Sequence, residues 1–181
     1  PKNRLTFHTV RGLDGELEQA LKLFVETFKT EAITAHTYNF NHELTEKQYY
    51  KASLLNAKLY IEQGHDIMVA KIDDTIVGVS IMKKTSQKSL IHTLRFVFPE
   101  VFELLPLLTK IKYRNAFSMS KTMKLTHPLK ENYVTLAAIA VTSNYQGKGV
   151  GKQFLNEIHQ RYKKDFESIY LYTADEKNKN L

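Results

Sequence analysis

The chain is 181 residues long, which fits one domain with a sizeable buried core, and its 43% hydrophobic and 25% charged residues are ordinary for a globular protein. It has no cysteine, so disulfides, thiolate zinc sites and a cysteine nucleophile are excluded, and a reducing cytoplasm is the expected location. The lysines behind the net charge of +7 are dispersed along the chain, which favours a solvated basic surface over a nucleic-acid-binding face.

The first elements in chain order are a strand and two helices. Residues 5–10 alternate apolar and polar side chains, as a half-buried strand does. Residues 16–28 carry apolar side chains three and four positions apart, which predicts an amphipathic helix. A second helix is predicted over residues 45–63, with a capping box at its start in which Thr45 is the N-cap and Gln48 its partner.

A hairpin is predicted after this second helix. Gly64 is the expected C-terminal stop of the helix, because glycine readily adopts the left-handed conformation found there. Residues 66–72 and 75–82 are rich in β-branched residues and are separated only by Asp73 and Asp74. Two such runs joined by a two-residue turn predict antiparallel neighbours.

The most apolar region of the chain spans residues 90–111. Charged residues and prolines interrupt it, whereas a membrane-spanning helix needs about 20 predominantly apolar residues. Its apolar spacing instead predicts two short helices separated by Pro99. The N-terminal residues have no apolar segment behind their positive charges, as a secretory signal would require. We therefore expect neither secretion nor insertion into a membrane.

The second half of the chain predicts a buried strand, a helix and a final strand. Residues 133–141 form a nearly continuous apolar run, typical of a central strand covered on both faces. Residues 149–162 predict a helix, and residues 168–172 another strand. The element order is therefore β α α β β (α α) β α β, which indicates one mixed α/β domain over residues 1–181 with a helical insertion before the central strand.

The segment from Ala137 to Lys152 carries the chemistry. A buried strand runs into a loop whose glycines let the backbone approach a ligand closely, and the loop leads directly into the start of a helix. The first N–H groups of a helix lack partners within it, and the helix dipole adds about half a positive charge there. The sequence therefore predicts a phosphate or pyrophosphate site.

Two common phosphate-binding motifs do not fit this segment. A P-loop would need glycine and serine or threonine where the chain has Gln146 and Gln153. A dinucleotide fingerprint would need G-x-G-x-x-G spacing after an early strand, whereas Gly147, Gly149 and Gly151 lie two apart and late in the chain. Neither nucleoside-triphosphate nor dinucleotide binding is therefore indicated by the loop.

The loop residues Gln146-Gly147-Lys148-Gly149-Val150-Gly151 resemble the Q/R-x-x-G-x-G/A signature of the GNAT superfamily of acetyltransferases. The strand before them and the helix after them are also similar to that family. The resemblance implies a GNAT-like acyl-CoA N-acyltransferase fold, with a central mixed sheet flanked by helices, acetyl-CoA as cosubstrate and no metal. It also implies that a strand edge holds the pantetheine arm and that the loop cradles the pyrophosphate. The implied cofactor-binding residues are Ile139, Ala140, Val141, Gln146, Gly147, Lys148, Gly149, Val150, Gly151 and Lys152.

The sequence leaves the general base open. An attacking amine must be neutral, yet a lysine-like amine has a pKa of about 10, so a base is expected. The family often places a carboxylate on the strand before the signature, but residues 135–138 offer none. Glu31, in the connection between the first two helices, and His127 are candidates, although a surface carboxylate and a structural histidine are the commoner uses of such residues.

The general acid is open as well. The resemblance implies a tyrosine on a helix that follows residues 168–172, but here the sequence stops at Leu181, where Asp175 or Asn178 would begin that helix. The family's usual closing strands do not follow. We therefore expect either that C-terminal elements are missing from the chain or that the acid comes from elsewhere.

The resemblance predicts an N-acetyltransferase that moves the acetyl group of acetyl-CoA to a primary amine of a small molecule, or secondarily of a protein, by direct attack in a ternary complex. The alternative is a non-catalytic acyl-CoA-binding sensor or interaction module with the same fold, which the missing strand carboxylate favours. No nucleic acid or membrane is expected as a partner. Residues 90–111 are expected to cover the acceptor pocket or to form a homodimer surface, with these candidates for an apolar pocket lining: Phe96, Phe98 and Phe102.

Overall fold

The fold is known from a computed structural model, which describes residues 4–30, 32–41, 43–85, 105–112, 114–115 and 132–171. Within these ranges lie five strands and five helices. The elements are β1 (Leu5–Val10), α1 (Gly15–Phe28), α2 (Ala32–Thr37), α3 (Glu43–Glu62), β2 (Asp66–Ile72), β3 (Thr75–Lys84), α4 (Leu105–Leu108), β4 (Tyr133–Val141), α5 (Val150–Tyr162) and β5 (Ser168–Leu171), with a 3-10 turn at Ser143–Tyr145 before α5.

The strands form one mixed sheet in the order β1-β2-β3-β4-β5. The first three strand pairs are antiparallel, and β4 and β5 are parallel. The predicted hairpin is confirmed as β2 and β3, and Asp73 in its turn has a φ of 53°, a left-handed conformation that aspartate tolerates better than most residues. The mixed α/β architecture expected from the element order is therefore confirmed.

Helices cover both faces of the sheet. On one face, α1 lies over β3 and β4 while α3 lies over β2. On the other face, α5 packs against the sheet through one apolar stripe at helical spacing, as its sequence predicts. The buried residues of this stripe are Val150, Phe154, Ile158 and Tyr162.

A β-bulge divides β4 into two halves. Ile81 of β3 pairs with Ala138, but the next residue, Met82, pairs with Leu136, so Ala137 is an extra residue in β4. One added residue reverses the alternation of side chains between the two faces. The large apolar side chains before and after the bulge therefore all contribute to the core under α5: Val134, Leu136, Ile139 and Val141.

The predicted start of α3 is wrong. The helix begins at Glu43, so Thr45 lies inside its first turn and does not act as the N-cap. Thr45 is fully buried, and its hydroxyl and the side-chain oxygen of Gln48 have no hydrogen-bond partner among the described residues, so the expected capping box does not form. Glu43 and Leu44 are both good helix formers, which explains why the helix continues upstream of the threonine.

The predicted end of α3 at Gly64 is confirmed. Gly64 has a φ of +84°, and its N–H donates to the carbonyl of Ile61 at 3.0 Å. The next N–H, that of His65, donates to the carbonyl of Tyr60 at 2.8 Å. This pair of bonds is a Schellman motif, which ends a helix by satisfying its last carbonyls.

Part of the predicted helical insertion is described. Helix α4 is a single turn, and Ile111 after it forms an isolated antiparallel bridge with Tyr38. Pro99 and the three phenylalanines predicted to line a pocket lie outside the described residues. None of the helices in the described ranges has the length and hydropathy needed to cross a membrane.

His65 joins the end of α3 to the hairpin. The residue is 6% exposed, and its Nδ1 accepts a hydrogen bond from the N–H of Lys84 at 3.1 Å. The Tyr60 ring stands edge-on to the imidazole, with 5.5 Å between the ring centres. Burial first, and then the charges of Lys83 and Lys84, lower the pKa of His65 below its usual value. Compared with the unfolded chain, the folded state therefore favours the neutral form of this imidazole.

Replacing His65 with glutamine is expected to flatten the acid side of the stability profile. Since the pKa is lower in the folded state, the unfolded chain binds more protons, so the contribution of His65 to stability is present above about pH 6.5 and is lost as the pH falls towards the folded-state pKa. Urea unfolding between pH 7 and pH 5 measures this. The exposed His159 on α5, changed to glutamine, is the matched control; an equally flattened profile there would contradict the assignment.

Candidate functional site

Within the part of the chain that the structure describes, the edge of β4 is open beyond its bulge. Parallel pairing with β5 runs from Tyr133 opposite Ser168 to Leu136 opposite Leu171. Strand β4 continues to Val141, past the described end of β5, while β3 still pairs with it on the other side. Among the described residues, no strand pairs with residues 137–141 on the β5 side. The two parallel strands thus share one half of β4 and leave the other half as a cleft wall.

The register identifies the main-chain groups that face this cleft. The N–H of Thr142 donates to the carbonyl of Val77 at 2.9 Å, so residues 142 and 77 form a hydrogen-bonded pair. Hydrogen-bonded pairs alternate along an antiparallel ladder, which directs the main chain of Ala138 and Ala140 towards β3 as well. The N–H and C=O groups of Ile139 and Val141 consequently point to the open edge.

The loop after β4 exposes backbone without side chains. Gly147 and Gly149 have φ values of 71° and 79°, in the left-handed region that glycine adopts at little cost. At Gly147, Gly149 and Gly151 alike, an added Cβ would meet no atom of the described residues within 4 Å. The loop therefore presents an open backbone surface that a ligand can approach closely.

Gly149 is the N-cap of α5. The N–H of Gln153 donates to the carbonyl of Gly149 at 3.0 Å, the first hydrogen bond of the helix. The preceding N–H groups of the first turn have no acceptor within the helix, and they point along its axis, out of the N-terminal end and towards the loop. No acidic residue lies in this first turn, so nothing there opposes the positive end of the helix dipole.

Two exposed lysines flank the loop. The ammonium group of Lys148 lies 5.3 Å from the centre of the Tyr145 ring, a cation–π contact that holds it beside the loop. Lys152 is exposed in the first turn of α5. Both side chains add positive charge to a surface that already favours anions. Val150 differs from them, because its side chain is only 4% exposed and packs in the core.

The structure places the predicted binding residues along one continuous edge and loop. The stretch 139–141 forms the cleft wall and 146–152 forms the loop and first helical turn. The main chain of Ala140 faces β3 and its side chain is buried, so its neighbours Ile139 and Val141 supply the accessible groups. The candidate bases Glu31 and His127, and the expected helix start at Asp175 or Asn178, lie outside the described residues.

Sequence reasoning missed two features of the site. One is the bulge at Ala137, which no residue type in the strand announces. The other is a hydrogen bond from Nε2 of Gln146 to the carbonyl of Val141 at 2.9 Å. Within the described ranges there is no group of three histidine, aspartate or glutamate side chains close enough to hold a metal ion.

The sequence and the fold match a known family. The family model described as Acetyltransferase (GNAT) family matches residues 25–181. The chain therefore belongs to the GNAT family of acetyltransferases. It is an enzyme of that class, an N-acetyltransferase that depends on acetyl-CoA as its acyl donor. No curated protein matches the chain in sequence.

Solved structures share the fold at low sequence identity. One is described as histone acetyltransferase HPA2 and related acetyltransferase from Corynebacterium glutamicum, with 18% identity, a TM-score of 0.60, and coverage of 97% of this chain and 81% of that one. The aminoglycoside acetyltransferase AAC(6')-Iy, in complex with a CoA-containing bisubstrate analogue, has 11% identity, a TM-score of 0.56, and coverage of 98% and 84%. An aminoglycoside acetyltransferase from an uncultured soil metagenomic sample, in complex with sisomicin, has 16% identity, a TM-score of 0.51, and coverage of 97% and 81%.

Proposed function

We propose that the protein transfers the acetyl group of acetyl-CoA to a primary amine of a small molecule, by direct attack of the amine within a ternary complex. The observation that carries this proposal is the open half of β4 followed at once by the glycine loop at the start of α5. An edge of unpaired amides suits the pantetheine arm, and the helix start suits the pyrophosphate.

The donor would be held mainly by backbone. The N–H groups of the loop and of the first turn of α5 would bind the pyrophosphate oxygens, with Lys148 and Lys152 adding charge. The pantetheine amides would pair with Ile139 and Val141 as an added strand would. Three open glycine positions support this reading, because they leave the loop backbone uncovered.

The N–H of Ile139 is the proposed oxyanion donor. Attack of an amine on the thioester carbonyl forms a C–N bond and places negative charge on the carbonyl oxygen, and the C–S bond then breaks to release the thiolate. A fixed N–H aimed at that oxygen stabilises the developing charge. The amine must lose a proton to a base, and the sequence of β4 provides no carboxylate for this role.

A small-molecule acceptor is proposed on the strength of fold-level analogy. Two of the similar structures are aminoglycoside acetyltransferases, one in complex with sisomicin. Acceptor pockets are set by local residues rather than by the fold, so the analogy supports a class of acceptor and no particular compound.

Titration of acetyl-CoA into the purified chain by calorimetry is the first test. Binding at micromolar concentration, followed by release of CoA when an amine acceptor is added, is the expected result. The chain has no cysteine, so a thiol reagent reports only the released CoA. A panel of aminoglycosides and polyamines would be compared with peptides that carry a free α-amine.

Each outcome of this test selects one reading. Faster CoA release with small amines supports the proposal, whereas faster release with peptides alone would replace the acceptor class. Tight binding of acetyl-CoA with no acceleration by any amine would favour a non-catalytic sensor, the alternative that the missing strand carboxylate suggests. Absence of acetyl-CoA binding would contradict the proposal altogether.

A further inference from the structure

The side chain of Gln146 makes a hydrogen bond within the protein. Its Nε2 donates to the carbonyl oxygen of Val141 at 2.9 Å, across the turn that separates β4 from the glycine loop. Its own backbone N–H donates to the carbonyl of Thr142 at 3.2 Å. Gln146 is thus tied to the end of β4 by both its main chain and its side chain, although the residue as a whole is exposed.

This contact engages one group at the open edge of β4, the carbonyl of Val141. The register directs both main-chain groups of Ile139 and of Val141 away from β3. With the Val141 carbonyl already accepting one hydrogen bond from Gln146, the groups that face outward without this contact, in the part of the edge that the structure describes, are the carbonyl of Ile139 and the N–H groups of Ile139 and Val141. The strand-like surface therefore ends where the side chain of Gln146 begins.

Gln146 also sets where the loop starts. Gly147 follows it directly, and Gly147 and Gly149, both with left-handed φ values, carry no side chain that could tie the loop backbone to β4. No side-chain cap bond from Gly149 fixes the helix start. The Gln146 contact is therefore a direct side-chain link between the edge of β4 and the loop that leads into α5.

We propose that Gln146 is a positioning residue that holds the glycine loop at a fixed offset from the edge of β4, so that the pantetheine and pyrophosphate portions of one ligand bind together. This inference rests on the proposed function, and it assigns Gln146 a role without contact between its side chain and the ligand. A ligand with two linked binding portions gains affinity when both sites are held at the matching distance.

The chemistry of the contact predicts which residues can replace glutamine. The carbonyl of Val141 needs a donor, and both the glutamine amide and the arginine guanidinium supply N–H groups. Leucine has a similar length and no donor. Glutamate at neutral pH offers only acceptors, and it would repel both the carbonyl and a pyrophosphate. Arginine should therefore preserve the offset, while leucine and glutamate should not.

The test compares two ligands across Gln146→Leu, Gln146→Glu and Gln146→Arg. Calorimetry measures the affinity for acetyl-CoA. Displacement of a fluorescent CoA conjugate measures the affinity for acetyl-pantetheine, which lacks the pyrophosphate. Gln146→Leu is expected to weaken the binding of acetyl-CoA about tenfold and to leave the affinity for acetyl-pantetheine within about twofold of the parent. The reason is that the substitution removes only the contact that holds the two binding sites at a fixed distance. Gln146→Glu should weaken the binding of acetyl-CoA further, and the affinity of Gln146→Arg for acetyl-CoA should stay within about threefold of the parent.

The exposed Gln160 on α5, changed to leucine, is the matched control and should bind both ligands as the parent does. Equal affinity of the parent and Gln146→Leu for acetyl-CoA would overturn the inference while leaving the proposed function intact. An equal loss for both ligands would also overturn it, since that result indicates a general effect on the fold. A parent chain that does not bind acetyl-CoA would instead remove the proposed function, and the inference with it.

Discussion

Gly149→Asp is expected to weaken acetyl-CoA binding by about a hundredfold or more. The glycine lies at the start of α5 with open space where a Cβ would stand, so the new carboxylate would occupy the ligand side of the loop. Two unit charges about 5 Å apart at a protein surface repel by roughly 3 kcal/mol, which corresponds to more than a hundredfold in affinity. Calorimetric titration of acetyl-CoA measures the change.

Gly149→Asn separates the effect of the added negative charge from the effects of side-chain bulk and backbone strain. Asparagine has nearly the shape of aspartate, tolerates a positive φ better than most residues, and carries no charge. We expect it to weaken acetyl-CoA binding by about tenfold, well short of the aspartate variant. Gly15→Asp, at an exposed glycine that opens α1, controls for an added surface carboxylate. Unchanged affinity in Gly149→Asp would show that the loop does not hold the pyrophosphate.

Phe154→Ala is expected to lower the free energy of unfolding by about 3–5 kcal/mol, the usual cost of removing a fully buried phenylalanine. Phe154 has no exposed surface, and the centre of its ring lies 5.2 Å from the centre of the Phe7 ring. It also fills the space beside Gly78, where an added Cβ would stand 3.3 Å from its Cδ1. At this chain length the midpoint of thermal unfolding should fall by roughly 6–20 °C.

Two variants test whether this loss comes from the core under α5. Phe154→Leu keeps most of the buried apolar volume and should lose less than half as much stability as the alanine variant. Asn156→Ala, at an exposed position two residues along the same helix, should change the unfolding free energy by less than about 0.5 kcal/mol. Urea denaturation with constant m-values measures all three. A loss in Phe154→Ala no larger than in Asn156→Ala would contradict the assignment.

The parts of the fold that the sequence predicted are those with local causes. The β2–β3 hairpin follows from two β-rich runs and a short turn, and the stripe on α5 follows from apolar residues at helical spacing. Helix α2 was missed because its six residues are too few to show a period and include β-branched side chains. The start of α3 was misplaced because Thr45 and Gln48 have the spacing of a capping box, whereas Thr45 is buried in the core.

The candidate site divides in the same way. The open glycine loop at Gly147 and Gly149 could be predicted because glycines at a strand–helix junction favour left-handed φ values, while the binding of a phosphate there stays a prediction. The groups of Ile139 and Val141 that face the cleft could not, since their direction is set by the register between β4 and β3. Acid and base residues depend on side chains brought together from distant segments, and no spacing along the chain reports such a meeting.

Ala137 resets the phase of β4. A strand repeats every two residues, and the extra residue moves the repeat by half a period midway along the strand. If Ala137 paired with Ile81 in an unbroken ladder instead of bulging, Ile139 and Val141 would turn from the α5 face to the α1 face and their main-chain groups would turn from the cleft to β3. The position of the open edge along the sequence is thus set by the bulge at Ala137, so comparison of related sequences must align this strand to the residue before assigning roles in it.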